Sequence, residues 1–311
     1  MSDKTKLTTS APAYWSQNIG NKSYINWIEK GISDQHIKYY DYNGFSNIKE
    51  IGKGSFGKVY RAYWKNFRNT LALKSLNENT VEKIVYELKI QREVHFYDNI
   101  IKFYGITTKI QEDGSKKYML VMEYADNGTL RNYLKENFSN LTWNDKFRMA
   151  HQLSCAVLFL HDENIIHRDL HSKNVLIHQN TIKLADFGVS KKIDEFVKSK
   201  SIDGVVPYVD PQRFILDKKY SLNKKSDVYS IGVLLWEISS GRPPFKGSAD
   251  YYLIVNIPKG RREVPISDTP EEYVQTYTDC WKNEPDDRPD ILEVVTRLET
   301  IIAINNSAND F

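Results

Sequence analysis

The sequence predicts an α+β protein in two lobes: a strand-rich part at about 45–122 and a larger, mostly helical part at 129–302, joined by a connector at 123–128. Three observations predict it. Between Phe45 and Glu123 the apolar residues come in short, strand-like runs bounded by turn residues. After Asp126, Asn127 and Gly128 the apolar spacing changes to the period of amphipathic helices. The 311 residues, 41% hydrophobic and 27% charged, suffice for one large domain or two lobes sharing a cleft, and a cleft between lobes is a common place for a ligand.

Within an N-terminal extension, 1–44, residues 1–12 are polar and expected to be disordered, and SYINWIEKGI (23–32) puts Ile25, Ile28 and Ile32 at helical spacing. FSNIKEIGKGSFGKVYRAYW (45–64) is two strands around a glycine-rich turn, and TLALKSL (70–76) is a third. VEKIVYELKIQREV (81–94) is a helix and YMLVMEY (118–124) a buried strand. Helices are expected at TLRNYLKEN (129–137) and at NDKFRMAHQLSCAVLFLHDE (144–163), where Phe147, Ala150, Leu153, Val157 and Leu160 share a face. Further helices are expected at Asp227–Ser239, Glu271–Asn283 and Pro289–Ile302, followed by a polar tail at 303–311.

Composition excludes several classes. A net charge of +3 gives no argument for nucleic acid binding. No apolar run approaches the roughly 18 residues that a spanning helix needs, so no membrane span is expected. The opening MSDKTKLTTSAPAYW lacks the apolar core of a signal peptide. Twenty Tyr and six Trp argue against disorder over most of the chain. Cys155 and Cys280 stand apart with no metal-ligand spacing, as reduced core thiols of a cytoplasmic protein would.

Three stretches carry chemistry. GKGSFG (52–57) fits GxGxxG, a pattern that a plain hairpin turn also satisfies. The KVYRAYW that follows is strand-like, whereas a dinucleotide fold needs a helix there. Two strands around a glycine turn form a flap whose backbone amides can lie over phosphates. Lys74 lies in LALK, an apolar strand where a charge is costly unless it is paired or at an edge facing solvent. Glu87, in VYELKI, is placed to pair with it. Asp169 and Asn174 in HRDLHSKN (167–174), with Asp186 in LADFG, form a set of oxygen ligands suited to Mg²⁺ and bound phosphates. Asp169 would take or orient a hydroxyl proton.

In this order GKGSFGKV, LALK, the helix glutamate, HRDLHSKN, DFG, a degenerate APE and SDVYSIGVLLWE resemble the eukaryotic protein kinase family between about Phe45 and Ile302. SDVYSIGVLLWEI and DDRPD are most similar to its tyrosine-kinase and tyrosine-kinase-like branches. The resemblance implies the bilobal protein kinase fold, with a small antiparallel β-sheet N-lobe carrying one main helix, and a helical C-lobe. It implies ATP and Mg²⁺, a protein substrate, transfer of the γ-phosphoryl group to a hydroxyl, and a part in intracellular signal transduction. Ile51, Gly52, Gly54 and Gly57 would cover the ATP, and Val59, Ala72 and Leu176 would sandwich adenine. Lys74, held by Glu87, would contact the α- and β-phosphates. Met122 falls at the gatekeeper position, and the backbone of Glu123 and Ala125 would hydrogen-bond adenine. Asp169 would be the base, Asn174 and Asp186 would hold the metal, Arg168 would bind a phosphorylated activation segment and Asp227 would anchor the catalytic loop.

Departures from the family pattern bear on the acceptor and on switching. The lysine and threonine that serine/threonine kinases pair near the acceptor are here His171 and Val205, while Lys173 supplies a positive charge where many tyrosine kinases place an arginine. Tyr208 stands where tyrosine kinases usually carry Trp. The acceptor signal is mixed: serine/threonine by branch likeness, with tyrosine or dual specificity open. Gln212 replaces the APE glutamate and cannot form the usual ion pair with Arg288, and Gln91 puts an amide where the family stacks an apolar residue. GVSKKIDEFVKSKSIDG (188–204) reads as a polar loop, with Ser190, Ser199 and Ser201 as hydroxyls and phosphorylation expected at Ser199 or Ser201. Two other readings are an ATP-binding scaffold without transfer and a small-molecule kinase; the helical region after Gln212 argues against the second.

Overall fold

A computed structural model describes residues 21–54, 57–65, 70–76, 81–193, 204–215 and 220–309. In the smaller lobe, α1 (Asn21–Ser33) and β1 (Tyr39–Tyr40) precede the strands β2 (Phe45–Gly54), β3 (Gly57–Trp64), β4 (Thr70–Leu76), β5 (Phe103–Ile110) and β6 (Lys116–Glu123), with α2 (Val81–Val94) between β4 and β5. They form one six-stranded sheet in the order β1-β5-β6-β4-β3-β2, antiparallel except where β1 runs parallel to β5. Strand β4 matches its expected bounds because alternating Leu71 and Leu73 fill one face against Phe45 and Val121, while Ala72 joins the cluster on the other.

Strand β5 is an addition to the sequence reading. Its alternation is broken by Gly105 and by two threonines, of which Thr107 is fully buried opposite Met119. The turn signal was there: Asp113-Gly114 lies between β5 and β6, Gly114 has φ +79°, and the Ser115 carbonyl accepts from the Gln111 amide.

The larger lobe is built from α3 (Leu130–Asn137), α4 (Trp143–Asp162), α5 (Lys224–Ser240), α6 (Asp250–Asn256), α7 (Glu271–Cys280) and α8 (Ile291–Asn309). Thr142 and Asp145 form a reciprocal capping box that starts α4 one residue before the expected helix. Helix α5 is buried from Ser226 to Ser239, as a helix with apolar side chains on all sides must be, and Gly241 ends it at φ +68°. Helix α8 runs past Ile302 to Asn309, so the segment expected as a tail begins helical. Between α4 and α5 lie β7 (Ile165–Ile166), β8 (Val175–His178), β9 (Thr181–Leu184) and β10 (Lys191–Lys192). Among the described residues no helix is long and apolar enough to cross a membrane. Both cysteines are free thiols, and burial pushes their pKa values up, to about 11 for Cys155 and about 12 for Cys280.

Candidate active site

Strand β4 is hydrogen-bonded on both sides, to β3 and β6, so Lys74 is not an edge lysine facing solvent. Its Nζ donates to Glu87 Oε1 at 2.6 Å and to Asp186 Oδ1 at 2.9 Å. Burial opposes its charge, but the two carboxylates outweigh that and hold its pKa above the usual lysine range. For Glu87 burial dominates and pushes its pKa up. For Asp186 burial is outweighed by Lys74, and its carboxyl is held down. Glu87 Oε2 is buried without a hydrogen-bond partner.

Beneath this set, HRDLHSKN forms the loop between β7 and β8. Asp227, at the start of α5, holds it: Oδ2 accepts from the amide of His167 at 2.9 Å and lies 3.0 Å from His161 Nε2, while Oδ1 accepts from the amide of Arg168 at 2.9 Å. Arg168 takes φ +71°, a turn that those two fixed amides hold in place. Asn174 Nδ2 donates to the Asp169 carbonyl at 2.9 Å and to its Oδ2 at 3.1 Å, which leaves the Asn174 amide oxygen as a ligand atom. His171 is buried; Nδ1 accepts the Lys173 amide at 3.2 Å, and Nε2 lies 3.6 Å from Asp169 Oδ2. The imidazole thus faces the carboxylate, while the Lys173 side chain is exposed. Asp186 is at φ +68°, and the following Phe187 is fully buried against His167, with ring centroids 5.3 Å apart.

Across the cleft, Ala72, Met122 and Ala125 share one apolar cluster with Ala185, and Val59 and Leu176 pack against it. The residues expected to sandwich adenine are thus together, drawn from both lobes. Gly52 pairs with Val59 and Gly54 with Gly57; a Cβ at Gly52 would touch nothing within 4 Å, so it opens onto free space. Ser55 and Phe56, at the tip, lie outside the described residues, and Ile51 is exposed. At the connector, the Glu123 amide donates to the Lys102 carbonyl at 2.9 Å. The Glu123 carboxylate accepts from the Lys102 amide and from Lys183 of β9, both at 3.3 Å.

Ser190, Arg288 and Gln91 each differ from what the sequence suggested. Ser190 is fully buried, its hydroxyl donating to the His167 carbonyl at 3.2 Å, so it is not a solvated loop residue; Ser199 and Ser201 lie outside the described residues. Arg288 keeps an ion pair although Gln212 cannot supply it, because Asp210 does: Nη1 to Oδ2 is 2.7 Å and Nη2 to Oδ1 is 3.0 Å, with both side chains fully buried. Gln212 donates instead to the Asn283 carbonyl at 2.9 Å and to Glu284. Gln91 does not open the packing of α2: it is buried, its Nε2 donates to the Ile101 carbonyl, and its Oε1 is left without a partner.

Sequence reasoning missed a polar network beside the loop. Glu237 of α5 accepts from Arg131 Nε at 2.6 Å, from Ser172 at 2.9 Å and from the Tyr208 hydroxyl at 2.5 Å, and Arg131 Nη2 reaches the Tyr208 oxygen at 2.6 Å. Burial raises the Glu237 pKa, although Arg131 works against that shift. The signal was a glutamate inside the otherwise apolar IGVLLWEI, where a charge needs partners.

These two lobes and the lysine, carboxylates and amide set between them define a phosphotransferase of the protein kinase class. A family model described as protein tyrosine and serine/threonine kinase matches residues 45–298, and the chain belongs to this family. It is 31% identical to tyrosine-protein kinase SRK2 of Spongilla lacustris over 83% of this chain and 70% of that protein. It is also 32% identical to serine/threonine-protein kinase VIK of Arabidopsis thaliana over 83% of this chain and 60% of that protein. With tyrosine-protein kinase ABL2 of Homo sapiens it shares 30% identity over 87% of this chain, but spans 23% of that protein's length. The family implies ATP as substrate and a divalent metal. Among the described residues no cluster of three His, Cys, Asp or Glu side chains could hold a metal unaided. Asn174 and Asp186 fit the role only as partial ligands, completed by phosphate and water oxygens, as suits a hard cation.

Proposed function

We propose that this chain transfers the γ-phosphoryl group of Mg-ATP to protein hydroxyls, serine or threonine foremost, in cytoplasmic signalling. The observation that carries this reading is the Lys74–Glu87–Asp186 ion-pair set placed above the Asp169–Asn174 loop in one cleft. In this reading Lys74 engages the α- and β-phosphates, and Val59, Ala72, Met122 and Leu176 enclose adenine. The backbone of Glu123 and Ala125 hydrogen-bonds the base, while Ile51, Gly52, Gly54 and Gly57 cover the nucleotide. Mg²⁺, when bound by Asn174 and Asp186, neutralises charge on the phosphates. Asp169 accepts or orients the acceptor hydroxyl's proton, and Lys173, exposed four residues on, offers its charge to the acceptor side. His171, turned toward Asp169, is poorly placed to clamp a phosphate. Tyrosine therefore stays a second acceptor, favoured by Lys173.

The test is phosphate incorporation with Mg-ATP into the protein itself and a peptide library, read by mass spectrometry as phosphoserine, phosphothreonine or phosphotyrosine. Asp169→Asn should lower transfer by about 10²–10⁴-fold with unchanged thermal stability. Equal incorporation by wild type and variant would leave an ATP-binding scaffold as the better reading. Active protein should carry phosphate at Ser199 or Ser201; mass spectra showing that loop unmodified would defeat this part.

A further inference from the structure

Helix α1 and strand β1 precede the span matched by the family model, which starts at residue 45. Yet they are built into the smaller lobe. Ile28 is fully buried in the apolar cluster that holds Ile84, Val85 and Leu88, the residues of α2 on either side of Glu87. Lys89 of α2 lies 5.7 Å from the centre of the Trp27 ring, and burial together with Glu82 in the first turn of α2 pushes the Tyr24 hydroxyl's pKa up. On its other side α1 is tied to the sheet: Glu29 accepts from Lys116 at 2.8 Å and from the Tyr118 hydroxyl at 2.6 Å, both on β6.

Strand β5 is shaped to receive this extension. The Ile106 amide donates to the Lys38 carbonyl at 2.9 Å, and a Cβ on Gly105 would lie 2.2 Å from that same carbonyl oxygen. Only a glycine lets the backbone between α1 and β1 approach so closely. Helix α1 therefore sits between a fixed sheet and the helix whose glutamate must reach Lys74. Glu87 itself is a costly buried charge with one oxygen unpaired, so α2 needs an outside restraint to keep it there.

We propose that α1 is a positioning element for phosphoryl transfer: Tyr24, Trp27 and Ile28 hold α2 against the sheet so that Glu87 stays on Lys74. Its catalytic consequence rests on the ATP reading of Lys74. The experiment uses the full chain with Ile28→Ala, and with Glu29→Gln as a second, milder variant that loosens the anchor on β6 without emptying the core. Hydrogen exchange of α2 amides, Glu87 included, should speed up about tenfold or more in Ile28→Ala, while α5 amides keep their wild-type rates. Mg-ATP affinity should fall several-fold in the same variant. In a Glu87→Gln background the same substitution should leave Mg-ATP affinity unchanged, because the link it acts through is already cut. Glu29→Gln should move every readout in the same direction by less.

Unchanged α2 exchange, equal loosening of α2 and α5, or the same fold-loss of affinity in both backgrounds would each overturn the proposal. If wild type failed to bind Mg-ATP, the functional reading would fall, while the exchange pattern would still decide whether α1 restrains α2.

Discussion

Two buried ion pairs divide the molecule's work: Lys74–Glu87 in the cleft and Arg288–Asp210 in the larger lobe. In the second, both side chains are fully buried. Arg288 also donates to the carbonyls of Lys225, Lys282 and Asn283, so its donors are spent. In the first, Lys74 keeps 10% of its side chain exposed and shares itself between Glu87 and Asp186, the latter 25% exposed, and one Glu87 oxygen lacks a partner. A closed pair can only hold structure together. An unfinished one, open to a cleft, has room for a ligand.

That contrast can be broken from either side. Asp210→Asn should cost about 3–5 kcal/mol of stability by leaving the Arg288 charge buried without its counter-charge, as measured by denaturant unfolding. Lys74→Met should cost less stability, since Asp186 is partly exposed to water and Glu87, whose pKa burial already raises, can take up a proton, yet it should lower phosphate transfer far more. Equal stability losses would erase the distinction. A sharper version moves the carboxylate. Gln212 Nε2 and Arg288 Nη2 already share the Asn283 carbonyl, so Gln212→Glu added to Asp210→Ala should recover more than half of the stability that Asp210→Ala loses. No recovery would mean that the backbone, not charge, fixes the site of the pair.

Smaller effects follow. Gln91→Leu removes an orphaned buried oxygen and one hydrogen bond together, so unfolding free energy should change by no more than about 1 kcal/mol. The smallest expected effect is at Asp279, where burial opposes the charge but hydrogen bonds from Lys282 and Arg297 hold its pKa down, to about 2 from the usual 3.8. Because the folded value is the lower one, its contribution is complete above the unfolded value and is lost as pH falls from about 4 to about 2. Asp279→Asn should therefore lower stability modestly at neutral pH, its partners Lys282 and Arg297 being partly exposed, and flatten the acid limb over that window, so that variant and wild type converge below about pH 2.

Much of the site was legible in the sequence because its chemistry is carried by short motifs. Asp169, Asn174 and Asp186 lie within eighteen positions of one another, and the loop that joins them is held by the single carboxylate of Asp227. Lys74 and Glu87 could be paired because β4 and α2 are consecutive elements with clear periods. The Asp210–Arg288 pair was not legible, since its partners are 78 residues apart and the family pattern drew attention to Gln212 instead. The Arg131, Ser172, Tyr208 and Glu237 network draws on four segments, so no single stretch of sequence displays it. Strand β5 was missed because its buried threonine breaks the apolar alternation that marks a strand.

The connector between the lobes carries one more consequence. The Glu123 carboxylate holds an amide just before β5 and an ammonium on β9 of the larger lobe at the same time. Such a joint resembles a door whose pin is welded to the frame: one carboxylate fixes the end of β6 and the residue before β5 to β9 of the larger lobe, so loss of Glu123 would loosen the sheet and the seam between the lobes together.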